Sequence, residues 1–198
     1  MRRDWRDTIS VAADVALVGI VVTAASVPLV TAGAALRTGS AAIRAITAGE
    51  GVDARALWRL FRASLLPGAL ATAAAAAVGL LLASDIGAVA AGRVPGGAPA
   101  LAATAAAAAV LLAVGGLGVV HLGRDTSRGA WPHALAWAAR TAWRHPGAAA
   151  AVAGVPAVAA ALAALIPLTA PLLVGYTLYA LHAVTIRLVR PVRIDQVL

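Results

Sequence analysis

Long apolar runs constrain this chain more than any motif in it. Residues 65–83, 98–122, 147–166 and 168–189 are almost free of charge, and a fifth run extends over 11–36. About 20 apolar residues wound as a helix cross roughly 30 Å of hydrocarbon. A spanning barrel would need strands that alternate apolar and polar side chains, and no such alternation occurs. The alanine tracts at 73–77 and 105–109 are instead strong helix formers. Composition agrees: 62% of the 198 residues are apolar, mean hydropathy is +0.89 and 12% are charged, against roughly 25% charged in an ordinary soluble domain. The expectation is a single integral membrane domain over 1–198, all-α, a polytopic transmembrane helix bundle.

Every basic residue is an arginine, and with eight acids the net charge is +8 and the pI near 11.7. In a soluble chain that balance would point to nucleic acid. Here the arginines fall in the gaps between apolar runs, where anionic lipid headgroups are the nearer counter-charge, so nucleic acid is set aside. The absence of cysteine rules out thiol catalysis, disulfides and cysteine-based metal sites. His121, His133, His145 and His182 lack the spacing of a zinc motif. No Gly-x-Ser-x-Gly elbow surrounds Ser10, Ser26, Ser40, Ser64, Ser84 or Ser127. Gly115-Gly116-Leu117-Gly118 has neither a preceding strand nor a following Lys-Ser/Thr, so it reads as close helix packing rather than a nucleotide loop. No catalytic, metal or cofactor site is expected, and the chain reads as a non-enzyme.

Arginine placement sets the expected topology. The N-terminal tail carries Arg2, Arg3 and Arg6 with Asp4, Asp7 and an interfacial Trp5. It looks like the basic start of a signal peptide, but the apolar run to Leu36 exceeds a 7–15-residue signal core, so an uncleaved helix is expected. Segment 39–64 carries Arg44, Arg55, Arg59 and Arg62; segment 123–146 carries Arg124, Arg128, Arg140 and Arg144; the C-terminus carries Arg187, Arg190 and Arg193. The link at 84–97, ending in the Pro95-Gly96-Gly97 turn, holds only Arg93 beside Asp85, and the link at Pro167 holds none. By the positive-inside rule the three basic segments, and the C-terminus, are cytoplasmic.

A single span over 11–36 would leave the basic tail outside. A turn between Pro28 and Gly33, with a short helix returning over about 31–47, puts every basic segment on one side; the charge pattern favours this hairpin, giving five long spans plus a short returning helix. The hairpin carries Arg37 to mid-depth, at about 2.5–3.5 kcal/mol unless it is paired or hydrated. Arg37, Ser40, Arg44 and Thr47 then share one helix face, a polar seam turned from lipid. At about 1.5 Å per residue, Asp14 and Arg44 lie at similar depth below the turn, so the hairpin predicts an Asp14 to Arg44 contact. Asp14 reads as a structural ion-pair partner near the interface or, alternatively, as part of a binding or coupling path.

Two interfacial amphipathic helices are expected. After Asp53 as N-cap, Leu57, Leu60, Phe61, Ser64 and Leu65 share one face and Arg55, Arg59 and Arg62 the other. After Pro132, His133, Trp137, Arg140 and Arg144 form one stripe, with Leu135, Ala138 and Ala142 opposite. The arginines Arg55, Arg59, Arg62, Arg140 and Arg144 are placed for lipid headgroups or a docking partner, and Trp131, Trp137 and Trp143 fit an aromatic belt.

These residues carry a resemblance. Ala13-Asp14 entering the first run, then Ser26-Val27-Pro28-Leu29-Val30-Thr31-Ala32-Gly33, resembles the Ser-Leu-Pro-(Ile/Val)-Val-Thr-x-Gly signature of the YesL-like family of bacterial integral membrane proteins, a domain of unknown function. It continues through Glu50-Gly51 and Trp58-Arg59-Leu60-Phe61-Arg62 to Asp85. The chain departs from the family at Gly19, where an Asn is common, and at Arg37, where an uncharged residue is usual. The resemblance implies a multi-pass protein of the bacterial cytoplasmic membrane, of a kind often encoded beside carbohydrate uptake systems. The expected function is an accessory or scaffold subunit with a membrane transporter partner; the alternative is a small transporter or channel along Asp14, Arg37, Ser40, Arg44 and Thr47.

Overall fold

A computed structural model of the chain describes residues 5–93, 97–125 and 131–188. The expectations placed on Arg2, Arg3, Asp4, Pro95, Gly96, Ser127, Arg128, Arg190 and Arg193 lie outside them. The described residues form seven α-helices and no strand: α1 (Trp5–Ser26), α2 (Ala32–Ala48), α3 (Ala54–Ala90), α4 (Gly97–Arg124), α5 (Trp131–Arg144), α6 (Pro146–Leu165) and α7 (Ala170–Leu188). Five of them, α1, α3, α4, α6 and α7 with the turn before it, are long and apolar enough to cross a membrane.

The first run bends. Pro28 has extended backbone (φ −75°, ψ 103°) and opens a single turn of 3-10 helix, Leu29–Thr31, before α2 starts. Thr31 holds the bend by donating its hydroxyl to the carbonyls of Ala25 and Pro28, so both arms are tied to one side chain. α2 then packs back on α1, with Gly39 against Val22. The hairpin is the observed arrangement, and the single long span is not.

α2 ends for a local reason. Gly49 takes the left-handed region (φ 71°), and the Glu50 N–H closes onto the Ala45 carbonyl at 2.9 Å. This is the two-bond helix terminus that favours glycine. Asp53 then caps α3, its Oδ1 accepting from the Arg55 N–H at 2.9 Å.

One element boundary and one helix face differ from expectation. The interfacial helix at 53–65 and the span at 65–83 are one continuous helix, α3, of 37 residues with Pro67 inside it. Pro67 breaks nothing because Gly68 beside it is pressed against Gly33 and Ala34, and α2 supports the helix where its own ladder is interrupted. In α5 the buried face is Ala134, Ala138 and Thr141. Trp137 does not join a polar stripe with Arg140 and Arg144; it stacks on His121 of α4, centroids 4.6 Å apart, while Leu135 stays partly exposed.

The helices meet through glycine. α1 and α7 cross at Gly19 and Gly175, where a Cβ on Gly19 would lie 2.7 Å from the Gly175 nitrogen. α2 and α3 cross at Gly33 and Gly68. Within the glycine cluster of α4, Gly116 meets Val152 and Leu181, and Gly118 meets Leu135, which is the packing role read from the sequence.

Candidate functional site

α2 is the most deeply buried of the described helices. It touches α1, α3, α4 and α7, and Gly33, Ala34, Ala35, Arg37, Gly39, Ser40, Ala41, Ala42 and Ile43 are all buried. Most of its residues are small, which lets its neighbours approach closely. Its polar side chains are therefore delivered to the interior, where each needs a partner.

Arg37, 4% exposed, reaches across to α3 and to the end of α4. Its Nη1 donates to Ser64 Oγ at 3.2 Å and its Nη2 to the Asp125 carbonyl at 3.4 Å. Ser64 is wholly buried; the sequence had placed it on the inward face of its helix without a task.

Ser40, one turn along, donates its hydroxyl to the Val119 carbonyl at 2.8 Å and lies 3.5 Å from His182 Nε2. The His182 ring is held by its other nitrogen, 3.0 Å from the Leu178 carbonyl. Gly123 makes room, since a Cβ there would collide with Ser40. The buried cluster is thus Arg37, Ser40, Ser64 and His182, with carbonyls from α4 and α7.

The predicted seam divides along its length. Arg37 and Ser40 lie inside; Arg44 is part-exposed and Thr47 is exposed. The Asp14 to Arg44 contact does not form. Arg44 pairs instead with Glu50 at 3.2 Å, because the Gly49 terminus folds Glu50 back beside the last turn of α2. Asp14 is exposed on α1, and no ion pair reaches it among the described residues. A residue at matching depth can still face away, and α1 turns Val15 rather than Asp14 to the core.

The other singled-out residues serve the scaffold. Ser26 bonds the Val22 carbonyl at 2.7 Å. The Gly33 N–H, one of the unpaired donors at the start of α2, is taken by Thr72 Oγ1 at 2.9 Å. Trp58 stacks on Phe61 with centroids 5.7 Å apart, and Arg55, Arg59, Arg62, Arg140, Arg144, Gly51 and Asp85 are exposed. Among the described residues no three His, Asp or Glu side chains gather as a metal site would require.

Missed at the sequence level were Ser64, His182 and Asp125 as partners of α2. The only signal was the helical phase of Ser64, since contacts 27, 88 and 142 residues apart leave no local trace. No protein-family model, no curated protein and no solved structure matches this chain.

Proposed function

We propose that the chain is a non-enzymatic protein of a bacterial cytoplasmic membrane, serving as an accessory or scaffold subunit of a transport system for carbohydrate. One observation carries the reading. The polar groups that a transport path would use are closed within the bundle and spent on holding helices together: Arg37 on Ser64 and the Asp125 carbonyl, Ser40 on the Val119 carbonyl. Asp14 and Thr47, the other members of that path, stand outside.

A closed internal network fixes a single packing, which suits a subunit that presents a shape. The apolar surfaces of α3, α4 and α6 toward their far ends are left for lipid or for partner helices. The YesL-like resemblance supplies the association with carbohydrate uptake, and its Pro28, Thr31 and Gly33 sit at the bend that returns α2 to the bundle. The arginines at the ends of α2, α4 and α7 support, by the positive-inside rule, a cytoplasmic placement of both termini.

Affinity recovery of tagged full-length chain from its native membranes in mild detergent tests this. The expected outcome is co-recovery of transporter subunits in fixed ratio; repeated recovery of the chain alone overturns it. Reconstitution in liposomes is the complement. An accessory subunit shows no intrinsic sugar or ion flux, and flux abolished by Arg37→Met or Arg44→Ala would establish the transporter alternative.

A further inference from the structure

Beside the buried cluster lies a groove that the scaffold reading does not use. It runs between α1, α2 and the start of α3 with a cavity volume of about 410 Å³, within the roughly 300–1,000 Å³ of small-molecule sites. Its floor is Ala35, Gly39 and Ala42, small residues spaced four and three apart on one face of α2. Val21 forms a wall and the Trp58–Phe61 stack a roof.

Apart from the Trp58 indole N–H at its end, the groove is lined by apolar atoms and one hydroxyl. Its one hydroxyl, on Thr38, is already spent on the Ala34 carbonyl at 2.9 Å. An extended hydrocarbon chain meets such a lining without leaving a polar group unpaired.

One end changes character. Ala54 and Trp58 also line a second recess, formed with Asp53, Arg55 and Arg59. Arg55 and Arg59 are exposed one turn apart on α3; the Asp53 carboxylate, which caps the helix through Oδ1, shares the recess, so the two guanidinium groups outweigh it by one positive charge. An apolar channel thus opens directly onto a guanidinium pair beside an interfacial tryptophan. Arginine matches phosphate by charge and by its planar fork of donors.

We infer that this groove holds one anionic phospholipid, with an acyl chain along the α2 floor and its phosphate at Arg55 and Arg59. The site is specific: one lipid per chain, distinct from diffuse attraction of headgroups to basic surface. It stands independently of the accessory role.

Native mass spectrometry of the full chain, stripped of lipid in detergent and titrated with phosphatidylglycerol or phosphatidylethanolamine, tests it. The expected result is one saturable phosphatidylglycerol per chain, retained at least tenfold better than phosphatidylethanolamine. Arg55→Gln with Arg59→Gln removes that preference. Val21→Trp, at a 58% exposed position on the wall, fills the groove and abolishes retention of both lipids. Arg140→Gln with Arg144→Gln, a pair also exposed on α5, lowers diffuse headgroup attraction at most and keeps the single saturable lipid and its phosphatidylglycerol preference. Equal losses from the two arginine pairs, unchanged binding in Val21→Trp, or uptake without saturation at one lipid each overturn the assignment.

Discussion

Replacing Gly175 by alanine should loosen the α1–α7 crossing by an amount the geometry sets. A Cβ at Gly175 would stand 3.0 Å from both the Cα and the nitrogen of Gly19, and closer still to the Val15 carbonyl oxygen. Carbon contacts are best at about 3.5–4.0 Å, so the Gly19 atoms alone require the helices to part by about 0.5–1 Å and the Val15 carbonyl requires more; a gap of even that size forfeits a quarter to a half of each dispersion well across the crossing. The obstructing atoms are backbone and cannot rotate aside. Overpacking of this kind costs about 1–3 kcal/mol, and a chain of this length loses about 2–4 °C of Tm per kcal/mol. Gly154→Ala on α6 is the control, because nothing lies within 4 Å of a Cβ there and alanine should gain about 0.5–1 kcal/mol in a helix interior. Thermal unfolding of both variants in the same detergent, followed by tryptophan fluorescence, should rank Gly154→Ala above the parent and Gly175→Ala below it. A Gly175→Ala protein melting at or above the Gly154→Ala protein would refute the argument.

The hairpin is testable by chemistry, since the chain has no cysteine of its own: a Cβ on Gly39 would lie 3.7 Å from Val22 Cβ, inside the disulfide range of about 3.5–4.5 Å. Val22→Cys with Gly39→Cys should therefore lose both thiols on mild oxidation without dimerising, and two maleimide-reactive thiols after oxidation would count against the turn. Ser64→Ala removes the acceptor of a buried guanidinium and should destabilise by about 1.5–3 kcal/mol in a detergent melt, with Ser64→Thr recovering part of the loss; an unchanged melt would show that the Arg37–Ser64 bond contributes nothing. Glu50→Gln should do almost nothing, about 0–1 kcal/mol, because the Arg44–Glu50 pair has side chains 35% and 55% exposed, and a drop of several degrees in Tm would reassign that pair to the core.

The spans were legible because membrane crossing is written in local composition: the expected 147–166 run is observed as Pro146–Leu165, and 98–122 as Gly97–Arg124. The bend at Pro28 was legible from the distribution of arginine, a global pattern rather than a local one. Hydropathy could not see α2 as the organising helix. Arg37 and Arg44 dilute its 17 residues, and its centrality comes from how small its residues are. The fused α3 was not legible because the arginine-bearing face of 55–62 gives way at 65 to a charge-free apolar run, and a change of composition does not reveal whether one helix carries on across it. The partners of Arg37 and Ser40 were illegible for a plainer reason: carbonyls of Asp125 and Val119 belong to every residue type alike, so no side-chain motif announces them.

The short central helix explains where the core lies. At about 1.5 Å per residue, α2 is about 26 Å long, against about 55 Å for α3 and 42 Å for α4. Neither long helix can stay beside α2 for its whole length. Burial therefore concentrates where α2 is, on α3 at Ser64 and Gly68 and on α4 from Ala113 to Gly123; α6, which α2 does not touch, buries Ala148, Val152 and Ala153 among its own neighbours α4, α5 and α7. Beyond those points α3, α4 and α6 bury no residue among those described. Within the shared zone α2 crosses α3 glycine on glycine, at Gly33 and Gly68, so sliding would drive a side chain into that crossing. Arg37 adds a polar lock, because a shift of one turn, about 5.4 Å, would carry its guanidinium away from both Ser64 and the Asp125 carbonyl and leave it buried without them. A charge that opposes insertion of α2 as an isolated helix thus fixes its register once the bundle has closed around it.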